Sequence, residues 1–207
     1  TPESHELQRL LPVLKELASW GVPVSVDTYK PAVMRAALEA GATMINDITG
    51  MISPEALSVV AESNCAVCVM HMQGEPGTMQ QAPQYQNVVA EVRSFLTDAV
   101  ERCRQAGIAD QRIVVDPGFG FGKTLNHNLD LFSALTVAGV GELPILVGLS
   151  RKSMLGVITG RPVGERLAGS VAAALLAAQK GAKILRVHDV ATTRDALAVW
   201  AAIEQRE

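Results

Sequence analysis

Six short apolar segments of this chain run into residues that can do chemistry. They supply Asp27 in SVDTYK, Asn46 and Asp47 in IND, and His71 in MHMQG. Further along come Asp116 in DPGFGFGKT, then Ser150, Arg151 and Lys152 in LSRKS, then Arg186, His188 and Asp189 in RVHDV. The set divides by charge. Asp27, Asn46 and Asp116 can accept hydrogen bonds from a ligand rich in N–H donors, and a carboxylate facing two parallel N–H groups is a strong geometry. Each such charge-assisted bond contributes roughly 1.5–3 kcal/mol. Lys152, Arg186 and His188 supply cationic donors suited to phosphate or carboxylate. A ligand with a polar heterocycle at one end and an anion at the other would use both groups.

The elements that position these residues are legible. The segments VPVSVD (22–27), TMINDI (43–48), CAVCVM (65–70), RIVVD (112–116), PILVGL (144–149) and KILRVH (183–188) are short, rich in β-branched residues and nearly continuous in hydrophobicity. Parallel strands buried on both faces have this pattern. Helices lie between them. One opens at Pro31 and closes at Gly41, and another has Ser53 as N-cap with Pro54 at N1. An amphipathic stretch runs from about Gln86 to Ala106, an Ala-rich helix ends at Gly181, and Thr192 or Thr193 is expected to cap the last. Leu7, Leu10, Leu11, Leu14 and Leu17 share one face of a first helix that Pro12 either kinks or starts. Side-chain alternation places Arg186 with His188 on one face of a buried strand, and Ser150 with Lys152 on another. Asn46 and Asp47 must point oppositely, so one of them faces away from the site.

Strict β-α alternation implies a parallel sheet with right-handed crossovers. The spacing shows no break where a strand order would reverse, and no G-x-G-x-x-G follows an early strand. The expected fold is therefore a (β/α)₈ TIM barrel, in which the loops after the strands build the active site. Six of the eight βα units are represented, in a single domain over residues 1–207 that is expected to lack the first two strands. The loop GEPGTMQQAPQY (74–85) is polar, proline-bearing and expected to be mobile.

Several features have plainer explanations. A strand-end Asp often caps a helix or bonds loop amides, which suits Asp189 more than Asp27. His71 between two methionines suits packing, and Lys123 with Thr124 suits ordering of their own loop. Cys65 and Cys68 fall on opposite faces of one strand, which suits core packing rather than a redox pair. The string PGFGFGKT resembles a phosphate-binding P-loop, but its opening position is Pro117, and its glycines alternate around Phe119 and Phe121. That alternation suits backbone lying close to a flat ring. A net charge of −3 gives no basic face for nucleic acid, and no apolar run is long enough to span a bilayer. The expected location is cytoplasmic.

Taken in order, SVDTYK, AGATMINDITG, VMHMQGEPGTMQ, DPGFGFGKTLNHN, GLSRKSMLG and ILRVHDV resemble the dihydropteroate synthase family of bacterial folate synthesis. The resemblance covers nearly the whole chain and implies a transferase. It would condense 6-hydroxymethyl-7,8-dihydropterin diphosphate with p-aminobenzoate, give 7,8-dihydropteroate and diphosphate, and be a target of sulfonamides. It implies that Asp27, Asn46, Ile48, Asp116 and Lys152 contact the pterin, with Met70, Phe121 and Gly148 as walls. Arg186 and His188 would hold diphosphate, while Phe121, Ser150 and Lys152 would meet p-aminobenzoate. Asp27, Asp116, Lys152, Arg186 and His188 form the implied catalytic set. Mg²⁺ and a homodimer are implied too, the metal's Asn ligand belonging to an N-V-T-P-D-S-F strand that this sequence does not contain. The G-G-E-S-T-R-P-G loop that closes over p-aminobenzoate in the family is likewise not in it. The competing readings are a pterin-dependent methyltransferase, which has no need of the R-x-H pair, and a non-catalytic pterin-binding protein.

Overall fold

The computed structural model describes residues 1–204; positions 205–207, the end of the expected domain, lie outside the described residues. The chain forms two compact units. One comprises Thr1–His71, Ser94–Val115 and Val140–Leu143; the other comprises Met72–Arg93, Asp116–Gly139 and Pro144–Glu207.

The first unit is built on α1 (Glu3–Ala18), β1 (Ser25–Asp27), α2 (Pro31–Glu39), β2 (Met44–Asp47), α3 (Pro54–Ala61) and β3 (Ala66–Met70). Helix α4 (Val88–Gln105) and strand β4 (Ile113–Asp116) cross the boundary in sequence. The sheet order is β1-β2-β3-β4, with β1 parallel to β2 and β2 parallel to β3. Val26, Ile45, Val67 and Val115 are buried, and β4 is buried at every position, as its unbroken apolar run requires. Pro12 lies inside α1, so it does not start the helix. Ser53 caps α3 by accepting from the Ala56 N–H at 3.3 Å, with Pro54 at N1. Helix α2 starts at Pro31, ends at Glu39 and is followed after Ala40 by Gly41, whose φ of +104° suits a residue without Cβ.

The second unit contains α5 (Leu125–Ser133), α6 (Leu135–Ala138), β5 (Leu146–Val147), α7 (Ser153–Thr159), α8 (Leu167–Gln179), β6 (Ile184–Leu185) and α9 (Val190–Glu204). Strands β5 and β6 pair in parallel, Leu146 opposite Ile184. All six expected strands are present, each shorter than its apolar run. That shortening matters at the last one. Arg186 and His188 lie beyond β6 rather than on a buried strand, so strand alternation does not govern them. The caps differ as well. Thr192 and Thr193 fall inside α9, and the Thr193 hydroxyl donates back to the Asp189 carbonyl at 2.9 Å.

Candidate active site

In the first unit, parallel register sets Asp27 opposite Asn46, and the side chains use that proximity: the Asn46 amide donates to Asp27 Oδ2 at 3.0 Å. Asn46 is buried while Asp27 is exposed. Asp47 turns the other way, as alternation requires. Its carboxylate accepts from the Thr49 N–H (2.8 Å), the Thr49 hydroxyl (2.7 Å) and the Met51 N–H (2.8 Å). Those bonds fix the turn carrying Ile48 and hold Met51 at φ +56°. Met70 is fully buried at the end of β3. His71 is buried edge-on against Phe95, ring centroids 5.0 Å apart, which is a packing role.

In the second unit, Asp116 divides its carboxylate between two partners. Oδ1 accepts from the Gly118 N–H at 2.8 Å, and Oδ2 accepts from Arg186 Nη2 at 2.9 Å. The Arg186 guanidinium lies on Gly148: a Cβ there would sit 3.1 Å from Nε and 3.2 Å from Nη2. Gly148 therefore acts as a seat for Arg186. His188 meets Ser150 twice, its N–H donating to the hydroxyl at 3.2 Å and its Nδ1 lying 3.0 Å from it.

Segment 118–122 alternates as its glycines suggest, with φ of +69°, +76° and +63° at Gly118, Gly120 and Gly122. Each of its five carbonyls accepts from a side chain. Lys123 Nζ serves Gly118 (2.9 Å) and Phe121 (3.1 Å), Lys152 Nζ serves Phe119, Gln80 serves Gly120, and Tyr85 serves Gly122 (2.8 Å). This ordering role of Lys123 fits its plainer reading, and Thr124 with His127 forms the capping box of α5. Phe119 is buried against Phe132, whereas Phe121 lies under Lys152, whose Nζ is 4.7 Å from the ring centroid. Gln80 and Tyr85 carry no local signature of this duty, because they reach segment 118–122 from a loop some 35–40 residues away.

Both lysines are pulled down from the ordinary range near 10.5. Burial lowers Lys123 to about 7, with Asp116 pulling the other way and Lys152 adding repulsion. Burial likewise lowers Lys152 to about 8, opposed by Asp116 and reinforced by Arg186. The second unit thus sets Arg186 and Lys152 about the buried Asp116 carboxylate and pairs His188 with Ser150 beyond the strand ends, donors that suit an anion.

A family model described as "pterin binding enzyme" matches residues 1–188. The chain belongs to the pterin-binding enzyme family. The relatives it resembles include dihydropteroate synthases. The Escherichia coli K12 dihydropteroate synthase is 49% identical over 196 residues, covering 94% of this chain and 70% of the relative. The solved Burkholderia cenocepacia dihydropteroate synthase, complexed with 7,8-dihydropteroate, aligns with a TM-score of 0.94 at 51% identity, over 100% of this chain and 76% of that one. The Yersinia pestis dihydropteroate synthase, solved in a sulfonamide complex, aligns with a TM-score of 0.96 at 44% identity, over 100% and 76%. The fold class expected from the β-α alternation, the (β/α)₈ barrel, is the fold of these pterin-binding enzymes.

Among the described residues no three His, Cys, Asp or Glu side chains converge as a metal site.

Proposed function

We infer that this chain performs the dihydropteroate synthase reaction. The C–O bond between the dihydropterin methylene and diphosphate breaks, a C–N bond to p-aminobenzoate forms, and the amine loses a proton. The observation that carries this reading is the Asp116–Arg186 pair with Lys152 beside it, a buried carboxylate and two cationic groups held in one unit. Asp116 and Lys152 are assigned to the pterin, as are Asp27 and Asn46. Ile48, Met70, Phe121 and Gly148 are assigned as its apolar contacts. Arg186 and His188 receive the departing diphosphate, and Ser150, Lys152 and Phe121 meet the arylamine acid.

As diphosphate leaves, positive charge develops on the pterin methylene and negative charge on the leaving oxygens. A fixed carboxylate and fixed cationic donors favour that separation without reorganising. The arylamine is a weak nucleophile, so holding it in line matters more than deprotonating it. Mg²⁺ is proposed only as a companion of the diphosphate, and no step is assigned to it. The Yersinia pestis sulfonamide complex supports reading sulfonamides as competitors for the p-aminobenzoate position.

Three coarser features are proposed alongside. The described cysteines, Cys65, Cys68 and Cys103, are free and buried, which supports a reducing cytoplasmic location. No helix among the described residues is long and apolar enough to cross a membrane. A homodimer through the later helices is supported by an apolar groove of about 320 Å³ beside α8, lined by residues including Leu129, Phe132, Met154, Leu155, Ile158 and Leu176. Leu176→Glu is expected to shift the mass measured by light scattering to that of one chain.

The test of the reaction is a titration with a non-hydrolysable dihydropterin diphosphate analogue, beside an Asp116→Asn variant. Saturable binding that weakens by about tenfold or more in the variant, the loss of one charge-assisted bond, supports the assignment. Equal binding by both proteins would remove Asp116 from the site.

A further inference from the structure

Arg151 adopts a left-handed backbone, φ +59°, between the two site residues Ser150 and Lys152. A side chain rarely takes that conformation unless its surroundings impose it. Here three separate groups impose it. The Arg151 N–H donates to Ser170 Oγ at 2.9 Å, and its carbonyl accepts from Arg166 Nη1 at 2.9 Å. Its guanidinium donates twice to Asp189, at 3.1 and 2.6 Å. The backbone N–H, the carbonyl and two guanidinium nitrogens are thus committed, the first two to the start of α8.

The holders are themselves held. Ser170 is buried, and its hydroxyl donates to the Arg166 carbonyl at 2.7 Å, which leaves the oxygen lone pairs aimed at Arg151. Arg166 also donates from Nε to the Arg161 carbonyl at 3.0 Å, and its guanidinium lies flush on Gly156, where any Cβ would collide with it. The reversal at Arg151 also ends strand alternation in this segment. Ser150 turns to His188 while Lys152 turns to the Phe119 carbonyl and the Phe121 ring, so the two do not act as one face.

We propose that Ser170 and Arg166 are positioning residues for the anion end of the site, acting through Arg151. Arg151 joins the segment after β5 to the segment after β6 by two routes, its guanidinium on Asp189 and its neighbour Ser150 on His188. Loss of the α8 support lets Arg151 relax toward the right-handed region, which withdraws Ser150 from His188 and loosens the hold on segment 186–189. The inference rests on the assignment of Arg186 and His188 to diphosphate.

The experiment uses two probes on the full chain, inorganic diphosphate and 6-hydroxymethylpterin, titrated calorimetrically into wild type, Ser170→Ala and Arg166→Lys. The lysine cannot span both the Arg151 and Arg161 carbonyls, and the partly exposed position keeps that variant folded if Ser170→Ala is not. The expected result is a loss of about tenfold or more in diphosphate affinity in both variants, of the size a small misplacement causes. Pterin affinity is expected to fall less than diphosphate affinity, because Lys152 alone among the assigned pterin contacts adjoins Arg151, while Asp27, Asn46 and Asp116 are untouched. Diphosphate binding at wild-type strength in folded variants would overturn the proposal. So would an equal loss for both probes, which marks general damage rather than positioning. A wild-type protein that takes up pterin but no diphosphate would instead overturn the anion assignment itself, and the inference with it.

Discussion

Arg186 and Asp116, seventy residues apart in sequence, share one ion pair: Nη2 donates to Oδ2 at 2.9 Å, with the Asp116 side chain 2% exposed and that of Arg186 40% exposed. Neither residue meets the substrate as an isolated charge. The pair aims the guanidinium before any ligand arrives. A double-mutant cycle with Asp116→Asn and Arg186→Met, read by chemical denaturation, is expected to give a coupling of about 1–2 kcal/mol. That is below the cost of breaking a wholly buried pair, because solvent reaches Arg186. Additive single effects would show that the contact carries no stability.

Gly148 is expected to be intolerant of a methyl group for a reason specific to Arg186. Gly148→Ala places a Cβ 3.1 Å from Nε and 3.2 Å from Nη2, so the guanidinium must give way by a few tenths of an ångström. Backbone strain is not involved, so the unfolding midpoint should hold. Diphosphate affinity should fall by about tenfold as Arg186 shifts. A fall in stability with affinity intact would reverse this assignment.

Lys152, lowered to about 8 by burial, should make anion binding pH-dependent. Only the protonated amine attracts diphosphate, so the Lys152 contribution, after allowing for the ligand's own titration, should be flat below pH 8 and fall by up to about tenfold per unit above it. Lys152→Arg, which keeps its charge throughout, should abolish that limb. Calorimetry between pH 6.5 and 9.5 distinguishes the two profiles, and a limb that survives in the variant would assign it to another group.

Lys123 should make stability rise with pH. Burial lowers its folded pKa to about 7, while the unfolded side chain titrates near 10.5. Between those values the unfolded chain binds more protons, so the folded state gains relative to it as pH rises from 7 toward 10. The gain is absent below pH 7, where both states are charged. Lys123→Met should flatten this rise. It should also cost about 1–3 kcal/mol at pH 7, because the Gly118 and Phe121 carbonyls lose their donor.

Asp47 is expected to matter for folding and not for ligand. Asp47→Ala removes the acceptor for three donors that close the turn 47–51 and should destabilise by about 2–4 kcal/mol. Pterin affinity of the folded fraction should stay within about twofold. A selective loss of pterin binding would place Asp47 in the site.

Much of this protein was legible along the chain. Short β-branched runs alternating with capped helices are local patterns, and they determined six parallel strands and the residues standing at their ends. Alternation separated Asn46 from Asp47, because both lie on a strand where period two holds. The alternation of Gly118, Gly120 and Gly122 around Phe119 and Phe121 suggested backbone close to a flat ring, whereas their positive φ values came only from the structure. Alternation failed at Ser150–Lys152 and at Arg186–His188 because the strands β5 and β6 end earlier, at Val147 and Leu185. Beyond those ends the chain follows its hydrogen-bond partners. Only the tertiary structure decided that Asp116 meets Arg186, that Gly148 seats the guanidinium, and that Ser170 and Arg166 hold Arg151 left-handed. These contacts join residues 15 to 70 positions apart, and local propensity carries no information about which distant donor will satisfy a given acceptor.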